Sequence, residues 1–216
     1  MPTNAMEIVG TNKLSSSSSN SISFSISNPF TYRSFRVLFS CRSQYTTNPH
    51  GSTGRGHDIL WMRFNNDSTS SLYLSAGQMG MNTGSYAGSP SVRCKNGSSY
   101  GSYGYEIGTV SALKSGVTRN RANDVWSFGY VDFIKNEDSY ATCIVQMFNP
   151  TGHGGGPYSY YESDEGFGRQ TYDTAQSHLS MQYRDDTDLA SVQFGLRYSY
   201  FTAGSTFTLY GLKNTV

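Results

Sequence analysis

The stretch that most restricts the fold is Ser205-Thr-Phe-Thr-Leu-Tyr-Gly-Leu-Lys213, a β-branched and aromatic run with a two-residue period. Extended, it sets Phe207, Leu209 and Gly211 on one face and Thr206, Thr208, Tyr210 and Leu212 on the other, so it can be covered on both sides. Left frayed, such a strand would expose unpaired backbone groups together with large side chains. It is therefore read as the closing strand of a sandwich, fed by the turn Phe201-Thr-Ala-Gly204. Its second face, with Tyr210 and Leu212, is a candidate subunit interface.

The same period recurs upstream. Ser21-Ile-Ser-Phe-Ser-Ile26 alternates strictly, with Ile22, Phe24 and Ile26 on a buried face and serines on a wet one. In Ser34-Phe-Arg-Val-Leu-Phe-Ser-Cys-Arg42, Phe35, Val37, Phe39 and Cys41 are in phase, and Arg36, Leu38 and Ser40 point the other way. His57-Asp-Ile-Leu-Trp-Met-Arg-Phe-Asn65 sets Ile59, Trp61 and Arg63 opposite Leu60, Met62 and Phe64. Residues 125–134 and 140–148 form the strongest pair, joined by the hairpin loop Lys135-Asn-Glu-Asp-Ser139. Further strands are expected at residues 6–10, 72–75, 105–113, 178–183 and 191–199. No segment sustains a helical period, and residues 171–179 have room for one helical turn at most. About ten strands and no helix predict an all-β, antiparallel two-sheet sandwich of jelly-roll type. Residues 1–20 form an N-terminal arm or edge strand with a linker through the five serines 15–19, and residues 21–216 one domain.

Two long segments interrupt the pattern. Residues 78–104 are rich in Gly, Ser, Asn and Tyr, and so long a loop is either functional or conceals short strands. Residues 151–169 are glycine-rich, then aromatic. Tyr86, Tyr100 and Tyr103 in the first, and Tyr158, Tyr160 and Tyr161 in the second, are candidate contacts to a ligand or a neighbouring subunit, since aromatic rings stack on sugar faces and concentrate at interfaces.

Composition excludes several roles. A net charge of +1 with 14% charged residues gives no basic face for nucleic acid. No apolar run approaches the ~18 residues of a membrane span. The N-terminus lacks a basic stretch followed by an apolar core, so no signal peptide is expected and synthesis is expected in a cytoplasm. Cys41, Cys94 and Cys143 are odd in number; Cys41 and Cys143, inside apolar runs, are expected to be buried thiols.

Motifs for chemistry are weak. Gly97-Ser-Ser-Tyr-Gly101 has a nucleophile-elbow spacing around Ser99, but its flanks are loop-like where a strand and a helix are required. His50, His57, His153 and His178 are dispersed without metal-ligand spacing. Glu162, Asp164 and Glu165, and Asp185, Asp186 and Asp188, are acidic clusters without a calcium-loop pattern, and short acidic loops ordinarily confer solubility. Neither catalytic residues nor a cofactor are expected.

Three stretches together resemble small structural proteins of tailed bacteriophages, particularly cyanobacterial phages. They are Leu14-Ser-Ser-Ser-Ser leading to Ser21-Ile-Ser-Phe24 and Phe35-Arg-Val-Leu38, then Met62-Arg-Phe-Asn-Asn-Asp67 with Tyr73, then the signature from Phe201 to Leu212. The resemblance implies a jelly roll on the virion surface, non-enzymatic and commonly trimeric. Its partners would be copies of itself and the major capsid protein or tail components, after synthesis in the host bacterial cytoplasm. Without a preceding shaft, decoration or cementing of the capsid is favoured. The alternative is a tail-fibre or tail-tip receptor-binding protein whose tyrosine loops adhere to host surface glycan.

Overall fold

A computed structural model describes residues 6–16, 19–27, 31–44, 57–69, 72–82, 91–93, 105–111, 126–135, 140–149, 175–197 and 199–213. The described residues form twelve strands: β1 (Met6–Lys13), β2 (Ser21–Ser25), β3 (Tyr32–Cys41), β4 (His57–Phe64), β5 (Tyr73–Asn82), β6 (Ser91–Arg93), β7 (Tyr105–Ser111), β8 (Ser127–Ile134), β9 (Ala141–Asn149), β10 (Ala175–Tyr183), β11 (Ser191–Leu196) and β12 (Thr206–Lys213). Every pairing is antiparallel.

Four pairs are nested along the chain: β1 with β12, β2 with β11, β3 with β8 and β4 with β7. The ribbon they form folds over so that β12 also pairs β3 and β11 also pairs β4. The result is two four-stranded sheets, β1-β12-β3-β8 and β2-β11-β4-β7, which is the eight-strand wrapping of a jelly roll. The remaining strands are two insertions, β5–β6 between β4 and β7, and β9–β10 between β8 and β11. They extend the first sheet to eight strands in the order β1-β12-β3-β8-β9-β10-β5-β6.

Alternation decides which side chains meet between the sheets. Phe35, Val37, Phe39 and Cys41 of β3, Val131 and Phe133 of β8, Cys143, Val145 and Met147 of β9, and Phe207 and Leu209 of β12 are all buried. They face Ile22 and Phe24 of β2, Leu60, Met62 and Phe64 of β4, Ile107 of β7, and Val192 and Phe194 of β11. Aromatic rings dominate the contact. Phe207 lies 5.7 Å from Phe39, 5.5 Å from Phe194 and 5.3 Å from Phe201, ring centre to ring centre. The serines of β2 point outward, as their alternation requires, and Cys41 and Cys143 are buried free thiols. Burial raises both thiols well above the ordinary range, with the Asp58 charge adding to the shift at Cys41.

The glycine-rich stretch from residue 78 conceals short strands, one of the two outcomes expected of it: it carries the end of β5 and all of β6, held by ladder pairing to β10 and to each other rather than by strand-favouring side chains. Two departures from the sequence expectations have local causes. β10 begins at Ala175, within the stretch read as having room for a helical turn, because β5 and β9 offer ladders on both its edges. The serine run is tied down at its described ends: the Leu14 N–H donates to the Ser205 carbonyl, the Phe201 N–H donates to the Ser19 carbonyl, and Leu14 packs on the core. Gly204, at φ 93°, takes the left-handed turn conformation that feeds β12, and its N–H donates to the Leu14 carbonyl.

Candidate functional site

β12 lies inside the sheet, between β1 and β3, so its backbone is paired on both edges. Its inner side chains are buried, but its outer ones, Thr206, Thr208, Tyr210 and Leu212, are only partly covered. Cover for that second face does not come from the described chain. The outer face of the large sheet continues across β3, β8 and β9 in aligned rows. One row runs Ile8, Tyr210, Arg36, Asp132, Ile144; the next Thr11, Thr208, Leu38, Tyr130, Gln146; a third Lys13, Thr206, Ser40, Phe128, Phe148.

Large apolar side chains stand open along these rows. Ile8 is 62% exposed, Phe128 50%, Ile144 48% and Leu38 41%, and Met6, beside the rows opposite Leu212, 46%. Summed over the five, which do not form one continuous patch because Arg36 and Asp132 lie among them, on the order of 500 Å² stands open. Phe128 and Phe148 add a ring pair with centroids 5.1 Å apart. A β-bulge between Ile8 and Gly10 sets the phase of β1, so that Ile8 points out while Gly10 faces Phe24 of the opposite sheet.

The centre of this apolar surface is polar and ordered. Arg36 Nε donates to Asp132 Oδ1 at 2.5 Å and Nη2 to Oδ2 at 2.6 Å, a bidentate pair on adjacent strands. The guanidinium also lies over the Tyr130 ring, 4.7 Å from its centroid, and the Tyr130 hydroxyl donates to Gln146 Oε1 at 2.5 Å. These hydrogen bonds from Arg36 to Asp132 hold the guanidinium above its ordinary pKa, against partial desolvation. Beside the pair is a cleft of about 220 Å³ lined by Met6, Ser34, Phe35, Arg36, Asp132 and Leu212. At the rim, Lys213 Nζ reaches Glu7 Oε2 at 2.5 Å, closing the end of the β1–β12 ladder. Such a face offers, among its described residues, apolar contact with a fixed pair of opposite charges at its centre.

Of the residues singled out in the sequence, Tyr210 and Leu212 fall on this face. Tyr86, Tyr100, Tyr103, Tyr158, Tyr160 and Tyr161 lie outside the described residues, as do Ser99, His50, His153, Cys94 and the acidic cluster at 162–165. The Asp185 carboxylate is engaged in a turn. It accepts the Thr187 N–H at 2.8 Å and the Tyr183 hydroxyl at 3.0 Å, and these bonds, the Thr187 backbone one foremost, lower its pKa. Among the described residues no group of three or more His, Cys, Asp and Glu side chains is placed to hold a metal ion. Among them, too, no helix is long and apolar enough to cross a membrane.

The sequence reading did not single out Arg36, Asp132, Ile8, Leu38 or Ile144. A signal exists for part of the set: Leu38 sits out of phase with the buried residues of its strand, so an apolar side chain had to face outward. On the small sheet the outer face carries a different feature. Trp61 lies flat over Gly195, where a Cβ would overlap the ring, and Arg63 stacks 5.0 Å from the ring centre while donating to Gln193.

No family model and no curated protein matches this chain. Among solved structures, the potassium-bound carbohydrate recognition domain of Emp46p is similar at 10% identity, with a TM-score of 0.25, over 91% of this chain and 81% of that one. At that distance the likeness carries no argument about function.

Proposed function

We propose that this chain is a non-enzymatic structural protein of a bacteriophage virion, a surface jelly roll that assembles with copies of itself and decorates or cements the capsid. The observation that carries the reading is the open apolar face of the large sheet, ordered around Arg36 and Asp132. Apolar side chains standing open in aligned rows around a polar centre suit a surface that an assembly covers. The resemblance of the Phe201–Leu212 signature to phage structural proteins supplies the kind of assembly. Its last strand is also the strand that carries Tyr210 and Leu212 onto the open face.

The experiment is location and loss. Labelled antibody against the chain is expected to decorate the heads of intact particles, and particles lacking the chain are expected to lose heat or osmotic resistance while adsorbing normally. Label at the tail tip, with adsorption lost and heat resistance intact, would replace this reading with that of a receptor-binding protein.

A further inference from the structure

We infer that the outer face of the large sheet docks onto the same face of a second copy, about a two-fold axis running along the strands between β3 and β8. Tyr210, Arg36, Asp132 and Ile144 read apolar, positive, negative, apolar across β12, β3, β8 and β9. Rotation about an axis between β3 and β8 places β3 over the partner's β8 and β12 over its β9. Arg36 then stands opposite Asp132 of the second copy, and Tyr210 opposite Ile144. The adjacent row, Thr208, Leu38, Tyr130 and Gln146, has the same symmetry of character, polar at both ends and apolar or aromatic between. A face with one sign of charge would call for a different partner; one with both signs side by side is complementary to itself.

The central pair keeps capacity for a partner. Within one copy Arg36 uses Nε and one N–H of Nη2, leaving the rest of its five donors, and Asp132 accepts one bond on each oxygen, leaving lone pairs on both. Two copies stacked at the ~10 Å separation of packed sheets can close these into one ring of alternating charge. The area suffices. Six strands ~4.8 Å apart, from β1 to β10, and three outward rows ~6.8 Å apart give roughly 600 Å² of face per copy, about 1,200 Å² for the pair, at the lower end of the range of specific interfaces.

The inference rests on the reading of this chain as an assembly module, but its test needs no particle. Sedimentation or light scattering on the purified full-length chain is expected to give a dimer, twice the 23.8 kDa of one chain. Arg36→Asp places two acids at the centre, and Asp132→Arg two bases, so each variant alone is expected to run as a monomer with an unchanged β-sheet circular dichroism spectrum. Mixed in equal amounts, they are expected to form a dimer containing one copy of each, because every acid then meets a base across the axis. Leu38→Glu gives an independent arm that leaves the ion pair intact and is likewise expected to be monomeric. A wild-type monomer or trimer, dimers that survive Leu38→Glu, or folded single variants that stay apart when mixed would overturn the two-fold docking. A dimer that never labels a particle would remove the virion reading and leave the docking standing; labelled particles carrying a monomeric chain would do the reverse.

Discussion

Truncating Phe207 to alanine tests whether the last strand locks both sheets. Its side chain is fully buried and touches rings from three other segments, Phe39 on the same sheet, Phe194 on the opposite sheet and Phe201 in the preceding turn. Loss of its burial contributes about 1.5–3 kcal/mol, and the cavity left among rings that cannot collapse into it raises the cost to about 3–5 kcal/mol. That is a large part of the ~5–15 kcal/mol by which a domain is stable. Urea unfolding, followed by circular dichroism at a chain concentration where wild type and variant have the same oligomeric state, reads it directly. With m at about 2 kcal/mol/M the midpoint falls by roughly 2 M. Thr208→Ala, one residue on and facing outward, serves as the control and should shift stability by no more than about 0.5 kcal/mol. A Phe207→Ala cost below about 1 kcal/mol, or equal costs for the two variants, would refute the placement of β12 as the strand that locks the two sheets together.

Other positions test other parts of the fold. Gly195→Ala should cost about 1–3 kcal/mol by displacing the Trp61 ring, and in a Trp126→Phe background it should also shift the remaining tryptophan fluorescence to longer wavelength. Asn65, at φ 51°, accepts the Ala190 and Ser191 N–H groups and donates to the Asp188 carbonyl, so Asn65→Ala should cost about 2 kcal/mol in thermal or urea unfolding, with Asn66→Gly close to neutral. The lowered pKa of Asp185 means that its hydrogen bonds stabilise the fold above its unfolded pKa of about 4 and are lost as pH falls below it; Asp185→Asn should flatten the acid limb of the stability curve there. In a Cys94→Ser chain, Cys41 and Cys143 should resist a thiol reagent until denaturant is added, and fast labelling of the native form would contradict their burial.

Much of the fold is written in the alternation of residues such as Ile22, Phe24 and Ile26, or Phe35, Val37 and Phe39, because a half-buried strand leaves a period of two. The sandwich and the jelly roll follow from that pattern and from the closing strand at Ser205. The end of β5, β6 and the start of β10 were harder to place. β10 takes its ladders from β5 and β9, both far from it in the chain, and residues such as Gly77 and Gly80 carry no local preference for an extended backbone. The candidate site was legible only at Tyr210 and Leu212, through the apolar character of a strand's second face. Arg36 and Asp132 are 96 residues apart, and nothing in either local sequence announces that register will bring them together.

The nesting of the strands also sets the order in which the chain can mature during synthesis. β1 and β3 sit on opposite edges of β12 and each forms its ladder with it. Until residues 206–213 emerge from the ribosome, these two strands have a gap between them, and Phe35, Val37 and Phe39 lack Phe207 and Leu209 beside them. At ~5–20 residues per second the wait from the end of β3 to β12 is on the order of 10–30 s. During that time the growing chain carries unpaired strand edges and open aromatic surface. The arrival of β12 is thus what ends the exposure, and a chain cut short before Ser205 would be a sticky, unfinished sheet.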